Sequence, residues 1–562
     1  MNRNLIRSVV LGAAVLISGG CQDTLLVTNP NQGDTDRVIG TPDDAENLLG
    51  SYYKRWSTGV YGSRTNLEGM ANMYSLMNYS SLANDCQNSH TPFTGATNFN
   101  SPGNTCQGEQ YRLYAILSEV NRVASTILGA LDTDLELGSE ARDNRARSFA
   151  EFLNGISLGY IALMHDSAAV VSAGTGPVDA GELVPYTVVF DSAMVAFDRA
   201  IAAAEAPAAG GRGFPLPFDW IPSPTAFSAT EFVRLIKTYR ARLRANVART
   251  PDERRDVAWP AVITDAAEGI TADHRITTST TVGPLNAWRQ QYDTYGLWHQ
   301  MTPFIIGMAD NSGSYATWIA MPLSERGAGN VGFFMTTPDL RFPQGADRAA
   351  QRADFAITSC EGPSETCERY FVNRTGNDRF DGLGFGWSNY DFVRFHSWRV
   401  SGDGTARNGD TPFFMKAELD LLGAEGLFRQ GDFAGAAAIV NVTRAVAGLP
   451  AITAFDATTP VPGGADCVPK VPVGPDFTTI ACGTLWEALK YEKRIETAYT
   501  SYVPWYLDGR GWGDLPEGTP LYWAVPYQDI QARGRPLANI YGTGIGAGNA
   551  PNSTAGPSTY GW

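Results

Sequence analysis

Aromatic, amide and basic side chains crowd together in the middle of the chain, and they are the residues best suited to chemistry. Trp and Tyr rings can stack on the apolar face of a sugar ring, while amide, guanidinium and carboxylate groups bond to its hydroxyls. One cluster holds Trp288, Gln290, Gln291, Tyr292, Tyr295, Trp298 and His299, followed by Tyr315 and Trp318, and a second holds Trp387, Asn389, Tyr390, Arg394 and Trp398. The pattern favours non-covalent binding of a glycan. Packing of long loops onto a scaffold is the alternative for any single ring.

The predicted ligand position lies between residues 286–318 and the early loop 78–106. The expected ligand-binding residues are Asn78, Trp288, Tyr292, Tyr295, Trp298, Tyr315 and Trp318. Both segments are rich in residues that form loops, so a rigid frame elsewhere in the chain has to position them.

The sequence contains none of several common enzyme motifs. There is no His-Glu-x-x-His or Walker sequence, and 58 acidic residues make chance carboxylate pairs unavoidable. Residues 155–159 read Gly-Ile-Ser-Leu-Gly, but they lie inside a predicted helix and not at the strand-to-helix turn of a Gly-x-Ser-x-Gly nucleophile elbow. Gly382, Gly384 and Gly386 imitate a dinucleotide-binding fingerprint, but their spacing is wrong for one. The five histidines are scattered and no Cys-x-x-Cys occurs. The sequence therefore predicts no catalytic residue, no cofactor and no metal site.

Length and charge narrow the possible partners. The 562 residues, 43% of them apolar, are enough to build a sizeable core. The formal net charge of -15 argues against nucleic acid, because phosphate binding requires clustered Lys and Arg. An acidic surface that simply keeps the protein soluble explains the charge equally well.

The amino terminus has the pattern of a secretory signal. Arg3 and Arg7 precede an apolar stretch of roughly ten residues, too short to span a bilayer, and small residues then lead to Cys21. This junction resembles a bacterial lipobox, although Ser18 stands where Leu is usual. Residues 1–20 are predicted to be a lipoprotein signal peptide, Cys21 the lipidated residue, and 21–40 a tether.

The six remaining cysteines fall into local couples. They are Cys86 with Cys106, Cys360 with Cys367, and Cys467 with Cys482. Six cysteines permit fifteen connectivities, but loop closure favours short spans, so local disulfide pairing is predicted.

Amphipathic stripes predict the frame as paired helices. Thr41 and Pro42 suit the start of a first helix that ends near Trp56, and apolar positions within 113–128 and 149–160 predict a helical hairpin. A second pair is predicted within 190–201 and 232–243. The clearest hairpin has Phe414, Ala417, Leu421, Ala424 and Phe428 on one face, a break at Gly431 and Asp432, and a second helix bearing Ala436, Ile439 and Val440.

The pairs indicate a mainly α fold, a scaffold of tetratricopeptide-like hairpins with a loop-rich irregular region. Residues 41–270 form the N-terminal helical region, 271–410 the loop-rich region with short strands that binds the ligand, and 411–562 the C-terminal region. The last fifty residues are predicted to be irregular.

Three segments resemble the SusD/RagB family. Cys21 with the Leu-rich, Asn-Pro-containing stretch 25–31 resembles its lipidated lead, and 417–425, Gly431-Asp432 and 441–450 resemble its helix pair ending in Gly-Leu-Pro. Residues 491–496, then Trp505, Tyr506, Asp508, Arg510 and Trp512-Gly513, then 525–530, resemble its late helix and the Pro-containing segment after it. Thr500-Ser501 departs from the usual Glu-Gly.

The resemblance implies a non-enzymatic lipoprotein of the outer membrane, exposed at the cell surface. It would bind a nutrient, an oligosaccharide or polysaccharide, and deliver it to a SusC-like TonB-dependent transporter. Two other functions remain open, a secreted, lipid-anchored carbohydrate-active enzyme and a helical-repeat scaffold that binds protein.

Overall fold

The computed structural model describes most of the chain in separate stretches. They are residues 39–61, 67–79, 100–103, 108–176, 179–209, 211–278, 300–322, 325, 333–354, 369–373, 388, 390–395, 409–474, 479–500, 502–516 and 519–536. By its contacts the chain divides into residues 1–48 and 49–562. In the first unit, the structure describes only the last two residues of the tether, 39–40, and the start of helix α1.

Helices dominate the described residues, as predicted. They are α1 (Pro42–Tyr61), α2 (Leu67–Tyr74), α3 (Gly108–Leu131), α4 (Glu140–Met164), α5 (Tyr186–Glu205), α6 (Ala229–Asn246), α7 (Pro251–Arg255), α8 (Trp259–Ala267), α9 (Pro303–Ile306), α10 (Ser314–Ala320), α11 (Arg348–Asp354), α12 (Lys416–Arg429), α13 (Phe433–Val446), α14 (Leu485–Thr497), α15 (Pro504–Trp512) and α16 (Tyr527–Ala532).

The described strands are short and form five antiparallel pairs. They are β1 (Asn78–Tyr79), β2 (Ser167–Ala169), β3 (Leu183–Pro185), β4 (His274–Thr278), β5 (Gln300–Met301), β6 (Phe371–Asn373), β7 (Tyr390–Phe392), β8 (Gly409–Phe414), β9 (Lys470–Val473) and β10 (Thr479–Cys482). β1 pairs with β5, β2 with β3, β4 with β8, β6 with β7, and β9 with β10. These pairs join loops to one another and form no extended sheet.

Helix α1 begins where its sequence predicts. The Thr41 hydroxyl accepts a bond from the backbone N–H of Asp44 at 3.2 Å, and Pro42 occupies the first turn. The helix continues past Trp56 to Tyr61, because Val60 and Tyr61 are also fully buried and extend its apolar face.

The predicted helical pairs are present, and they stack. Helix α3 packs on α4, α4 on α5, and α5 on α6, and the series continues through α8 to α12 and α13. Between α3 and α4, the Asn121 amide donates to the Asn154 side chain at 2.8 Å. Between α4 and α5, Gly155 allows the Phe197 ring to lie where a β-carbon would be, 2.6 Å from the nearest ring atom. Contact of each helix with its neighbours gives the scaffold its solenoid-like order.

Aromatic rings fill the centre of the N-terminal helices. Trp56 makes edge-to-face contacts with Tyr160, at a centroid distance of 5.2 Å, and with Tyr239, at 5.8 Å. Phe152 contacts Tyr239 at 5.6 Å. Rings from α1, α4 and α6 therefore interlock, which fixes the rotation of each helix about its axis.

The hairpin of α12 and α13 follows its sequence signal with one correction. Gly431 adopts φ 82°, and the Asp432 carboxylate caps α13 by accepting from the backbone N–H of Gly435 at 2.9 Å. The prediction that Phe414 lies on the first helix is wrong. Phe414 ends strand β8 opposite His274, and α12 begins at Lys416. Sheet pairing with a distant strand overrides the local helical spacing there.

The predicted disulfide between Cys467 and Cys482 is confirmed, and it ties the loop before β9 to the end of β10. Cys86, Cys106, Cys360 and Cys367 lie outside the described residues, as does Cys21. The described part of 271–410 holds short strands and helices of at most seven residues, in agreement with its loop-rich sequence. Of the helices in the described stretches, none combines the length and the apolar character needed to cross a membrane.

Candidate ligand-binding site

The β1–β5 pair joins the two segments between which the ligand was predicted to lie. Asn78 pairs with Met301 and Tyr79 with Gln300. Beside the pair, the Thr302 hydroxyl donates to the Leu76 carbonyl at 2.7 Å. The 78–106 loop therefore begins at a strand that pairs with the strand following the 286–299 cluster. More than 200 positions separate these two strands in sequence.

Tyr315 and Trp318 lie on α10, and both are buried. Their exposed fractions are 1% and 5%, and Trp318 meets the Phe304 ring edge-on at a centroid distance of 4.9 Å. The Tyr315 hydroxyl donates to the Phe304 carbonyl at 2.8 Å. These two rings pack against the scaffold, which is the alternative that the sequence left open for single aromatics.

A short acidic turn holds α10 in place. Asp310 accepts bonds from the backbone N–H groups of Ser312 and Tyr315, each at 2.8 Å. Gly307 lies so close to the Tyr315 ring that a β-carbon would come within 2.2 Å of it. The turn and the glycine together fix the segment that follows β5.

Two members of the second aromatic cluster are described, and both bond to the scaffold. The Tyr390 hydroxyl lies 2.8 Å from the Gln351 side-chain oxygen and 3.0 Å from the Met335 carbonyl, and burial raises its pKa to about 12. Arg394 forms an ion pair with Glu496 at 2.9 Å and lies over the Tyr370 ring at 3.9 Å. Neither side chain is free to meet a ligand.

Helix α14 carries the charged motif of the late helix, and its charges are buried. Lys490, Glu492, Lys493, Arg494 and Glu496 are each at most 3% exposed. Arg341 reaches Glu492 at 2.8 Å and Glu496 at 3.1 Å, and burial raises the pKa of Glu492 against the pull of that guanidinium. This helix therefore anchors the loop-rich region to the C-terminal region through ion pairs, not through apolar packing alone.

Arg341 and Asp339 were not singled out from the sequence. Asp339 lies 2.7 Å from Arg341 and accepts from the Tyr491 hydroxyl at 2.8 Å. The available signal was the placement of Glu492 and Glu496 one helical turn apart, since two acids on one face of a buried helix require a cation. Nothing in the sequence indicated which cation.

Several predicted site residues lie outside the described structure. They are Trp288, Tyr292, Tyr295 and Trp298, together with Gln290, Gln291, His299, Trp387, Asn389 and Trp398. Asn78 is described as part of β1. The structure describes the neighbouring framework, which consists of β1, β5, α10 and the buried rings that pack on α10.

Comparison with known proteins identifies the fold. No protein-family model matches the sequence, and neither does any curated protein. Among solved structures, a SusD superfamily protein from Parabacteroides distasonis aligns with a TM-score of 0.53 and 10% identity, covering 88% of this chain and 97% of that one.

Two further structures give similar alignments. A SusD homologue from Bacteroides thetaiotaomicron has a TM-score of 0.51 and 13% identity over 88% of this chain and 96% of its own. A SusD superfamily protein from Bacteroides vulgatus has a TM-score of 0.50 and 13% identity over 84% and 88%. Because these alignments span nearly the full length of each chain, this protein has the fold of the SusD superfamily.

Proposed function

We propose that this protein is a non-enzymatic outer-membrane lipoprotein that binds a nutrient glycan and delivers it to a SusC-like TonB-dependent transporter. The observation that carries the proposal is the near full-length likeness of its fold to SusD superfamily structures, with TM-scores of 0.50 to 0.53. The sequence adds the secretory-signal pattern of residues 1–20, after which Cys21 would carry the lipid anchor. Residues 21–40 would then hold the protein at the cell surface.

The ligand would be held by residues 271–410, above the framework around β1 and β5. Trp288, Tyr292, Tyr295 and Trp298 would stack on the sugar rings, and Asn78 would bond to hydroxyls. This placement is supported by the β1–β5 pair, which brings the start of the 78–106 segment next to the end of the 286–299 cluster. Tyr315 and Trp318 would support the site from beneath without touching the ligand, since their rings are covered by Phe304 and Phe333.

The test is glycan-array binding followed by calorimetry on protein whose Cys21 is replaced by Ser, so that it remains in solution. Trp288→Ala or Trp298→Ala is expected to weaken binding by roughly 1–3 kcal/mol, the usual contribution of a stacked aromatic anchor. The matched control is Phe455→Ala, which removes a ring that is 53% exposed and lies after α13, outside both loop segments.

Three results would contradict separate parts of the proposal. Unchanged affinity in both Trp variants would exclude this site, and hydrolysis of the bound polysaccharide by purified protein would show an enzyme. Purification of the lipidated protein from membranes without a co-purifying barrel would exclude the transporter partner.

A further inference from the structure

A second candidate site lies on other elements, in a groove between α5 and the turn from α6 to α8. Its volume is about 370 Å³, within the range of about 300–1,000 Å³ that is usual for ligand sites. Phe190 and Met194 line one wall from α5, and Val247 and Val257 line the other. All four are only partly buried, so the apolar surface of the groove is open to solvent.

The floor of the groove rests on the buried core of the scaffold. Val257 packs on a cluster of buried residues that includes Ala245, Trp259 and Leu422, and Ala248, which is 3% exposed, closes the base. The groove is therefore an extension of the scaffold core to the surface, and it does not depend on the aromatic loops.

Acidic side chains surround this apolar surface. Asp191 stands on the α5 wall, and Glu253 and Asp256 stand on the opposite wall. Among the described residues Asp191 and Asp256 form no ion pair with a cation, whereas Arg244, the one basic residue of the lining, lies 3.1 Å from Asp265. Within the described part of the chain, Asp191 and Asp256 therefore place one unpaired carboxylate on each side of the groove.

The apolar surface continues beyond the cavity along α5. Val188 is 45% exposed and Val195 is 47% exposed. Both lie on the helix face adjacent to the one that carries the lining residues Thr187, Asp191 and Met194. Two exposed valines seven positions apart extend the surface over about 11 Å of helix. A small molecule would leave this part uncovered, whereas a helix laid beside α5 would cover it.

We propose that this groove binds an amphipathic, basic segment of a partner protein. Large apolar side chains of that segment would enter between Phe190 and Val257, and its Lys or Arg side chains would pair with Asp191 and Asp256. A second copy of this chain is disfavoured because both copies carry net charge of -15, and an anionic membrane surface is repelled by the same acids.

The probe is a labelled synthetic peptide of about 15 residues, the length at which an isolated helix becomes marginally stable. It carries a Leu stripe flanked by Lys, and a second peptide replaces every Lys by Glu. Binding to the purified protein is measured by fluorescence anisotropy at low and high salt. The Lys peptide is expected to bind at least about tenfold more tightly than the Glu peptide, and to weaken as salt is added.

Variants separate the groove from the general acidity of the protein. Ala258→Trp, at an exposed position in the lining, fills the groove and is expected to weaken the Lys peptide at least about fivefold. The matched control Ala438→Trp lies at an exposed position of α13 and should leave binding unchanged. Asp191→Lys with Asp256→Lys should weaken binding about tenfold, and Asp219→Lys, outside the groove, less than about twofold.

Equal loss of binding in Ala258→Trp and Ala438→Trp, or equal affinity for the Lys and Glu peptides, would overturn the proposal. Absence of any binding by the Lys peptide would overturn it as well. Glycan affinity is measured in the same variants, and it should be unchanged in all of them. A failure of the peptide test thus leaves the proposed glycan function standing, and a failure of glycan binding leaves the groove standing.

Discussion

Arg254 lies fully buried between two carboxylates that come from distant parts of the chain. It reaches Glu425 at 2.7 Å and Asp508 at 3.1 Å, and Lys493 bonds to the same Asp508 at 2.7 Å. Arg242 pairs with Glu418 in the same way, at 2.7 Å. Such pairs gain little net stability because both charges lose water, but removing one partner leaves the other uncompensated.

Glu425→Gln is therefore expected to lower the free energy of unfolding by about 3 kcal/mol or more. The substitution keeps the shape of the side chain and removes only the charge that faces Arg254 and Arg429. Denaturant unfolding followed by circular dichroism measures the loss. Glu119→Gln is the control, because the ion pair of Glu119 with Arg55 is about 40% exposed and such pairs contribute less than about 1 kcal/mol. Equal losses in the two variants would refute this view of the buried pair.

Asp166 should make stability depend on pH in an unusual direction. Asp166 is 9% exposed, and within the described stretches its carboxylate accepts no hydrogen bond of normal geometry, although the backbone N–H groups of Val525 and Ser167 lie near it. Burial raises its pKa from 3.8 to about 7, with partial compensation from Arg249. Between pH 4 and pH 7 the unfolded chain releases this proton while the folded chain keeps it, so rising pH favours unfolding.

Asp166→Asn removes this titration. The variant is expected to gain stability relative to the native protein between pH 4.5 and pH 8, by roughly 2–4 kcal/mol. Urea unfolding at the two pH values measures the difference in unfolding free energy between the variant and the native protein. Other titrating groups, such as His165, contribute equally to both proteins and cancel in that difference. Asp219→Asn, at an exposed position, should show a constant difference. A constant difference for Asp166→Asn as well would rule out the raised pKa.

The residue-scale pairs could not be predicted from the sequence. Arg254 and Glu425 are 171 positions apart, and Arg341 and Glu492 are 151 apart. Acids and bases are too numerous for composition to select the partners, whereas local caps such as Thr41 are readable because the cap and its acceptor groups lie within one turn.

At the scale of the elements, glycines set how closely helices approach. A β-carbon on Gly155 would lie 2.6 Å from the Phe197 ring, so Gly155→Ala must displace that ring or push α5 away from α4. The expected loss of stability is about 1–3 kcal/mol, as for other overpacked cores. Gly423→Ala in α12 is the control, since its nearest neighbour would be the Ala266 β-carbon at 3.4 Å.

Gly423→Ala should be neutral or stabilising by up to about 1 kcal/mol, because alanine favours the helix. Thermal unfolding of the two variants measures the contrast. If Gly155→Ala were as stable as Gly423→Ala, the close contact between α4 and α5 would be wrong.

The disulfide between Cys467 and Cys482 stabilises the β9–β10 element through its loop. The two cysteines are 15 positions apart, and a disulfide that closes a loop of that size stabilises the folded state by about 3 kcal/mol. Replacing both cysteines by Ser should lower stability by about that amount in oxidising buffer. In reducing buffer the native protein and this variant should unfold alike, and a difference there would show that the cysteines act otherwise.

Helix pairs were predictable because apolar positions three and four apart mark a face. Helix α8 was not predicted, since Trp259 and Pro260 give a short segment with little periodicity. Phe414 was assigned to a helix because its spacing to Ala417 and Leu421 fits one, although pairing with His274 places it in a strand. Long-range pairing of this kind leaves no local trace in the sequence.

At the scale of the whole molecule, the helical frame was predictable and the contents of the loop-rich region were not. The stacked hairpins and the order of the late segments led from the sequence to the fold. The pairing of β1 with β5 was not foreseen, although it unites the two segments chosen for the ligand. Burial of Tyr315 and Trp318 was equally unreadable, because a ring that packs and a ring that binds have the same sequence signature.

The segment around Trp523 has a consequence for how the protein is made. The backbone N–H of Asp166 donates to the Trp523 carbonyl at 2.9 Å, the His165 ring Nδ1 lies 3.1 Å from the Ala524 carbonyl, and the Asn100 side-chain amide donates to the Val525 carbonyl at 2.8 Å. Arg510 also bonds to the Leu163 carbonyl, 347 positions earlier. A nascent chain that ends before residue 523 lacks the backbone carbonyls to which Asn100, His165 and Asp166 bond. The early helices therefore stay partly uncovered until residues 523–525 have been synthesised.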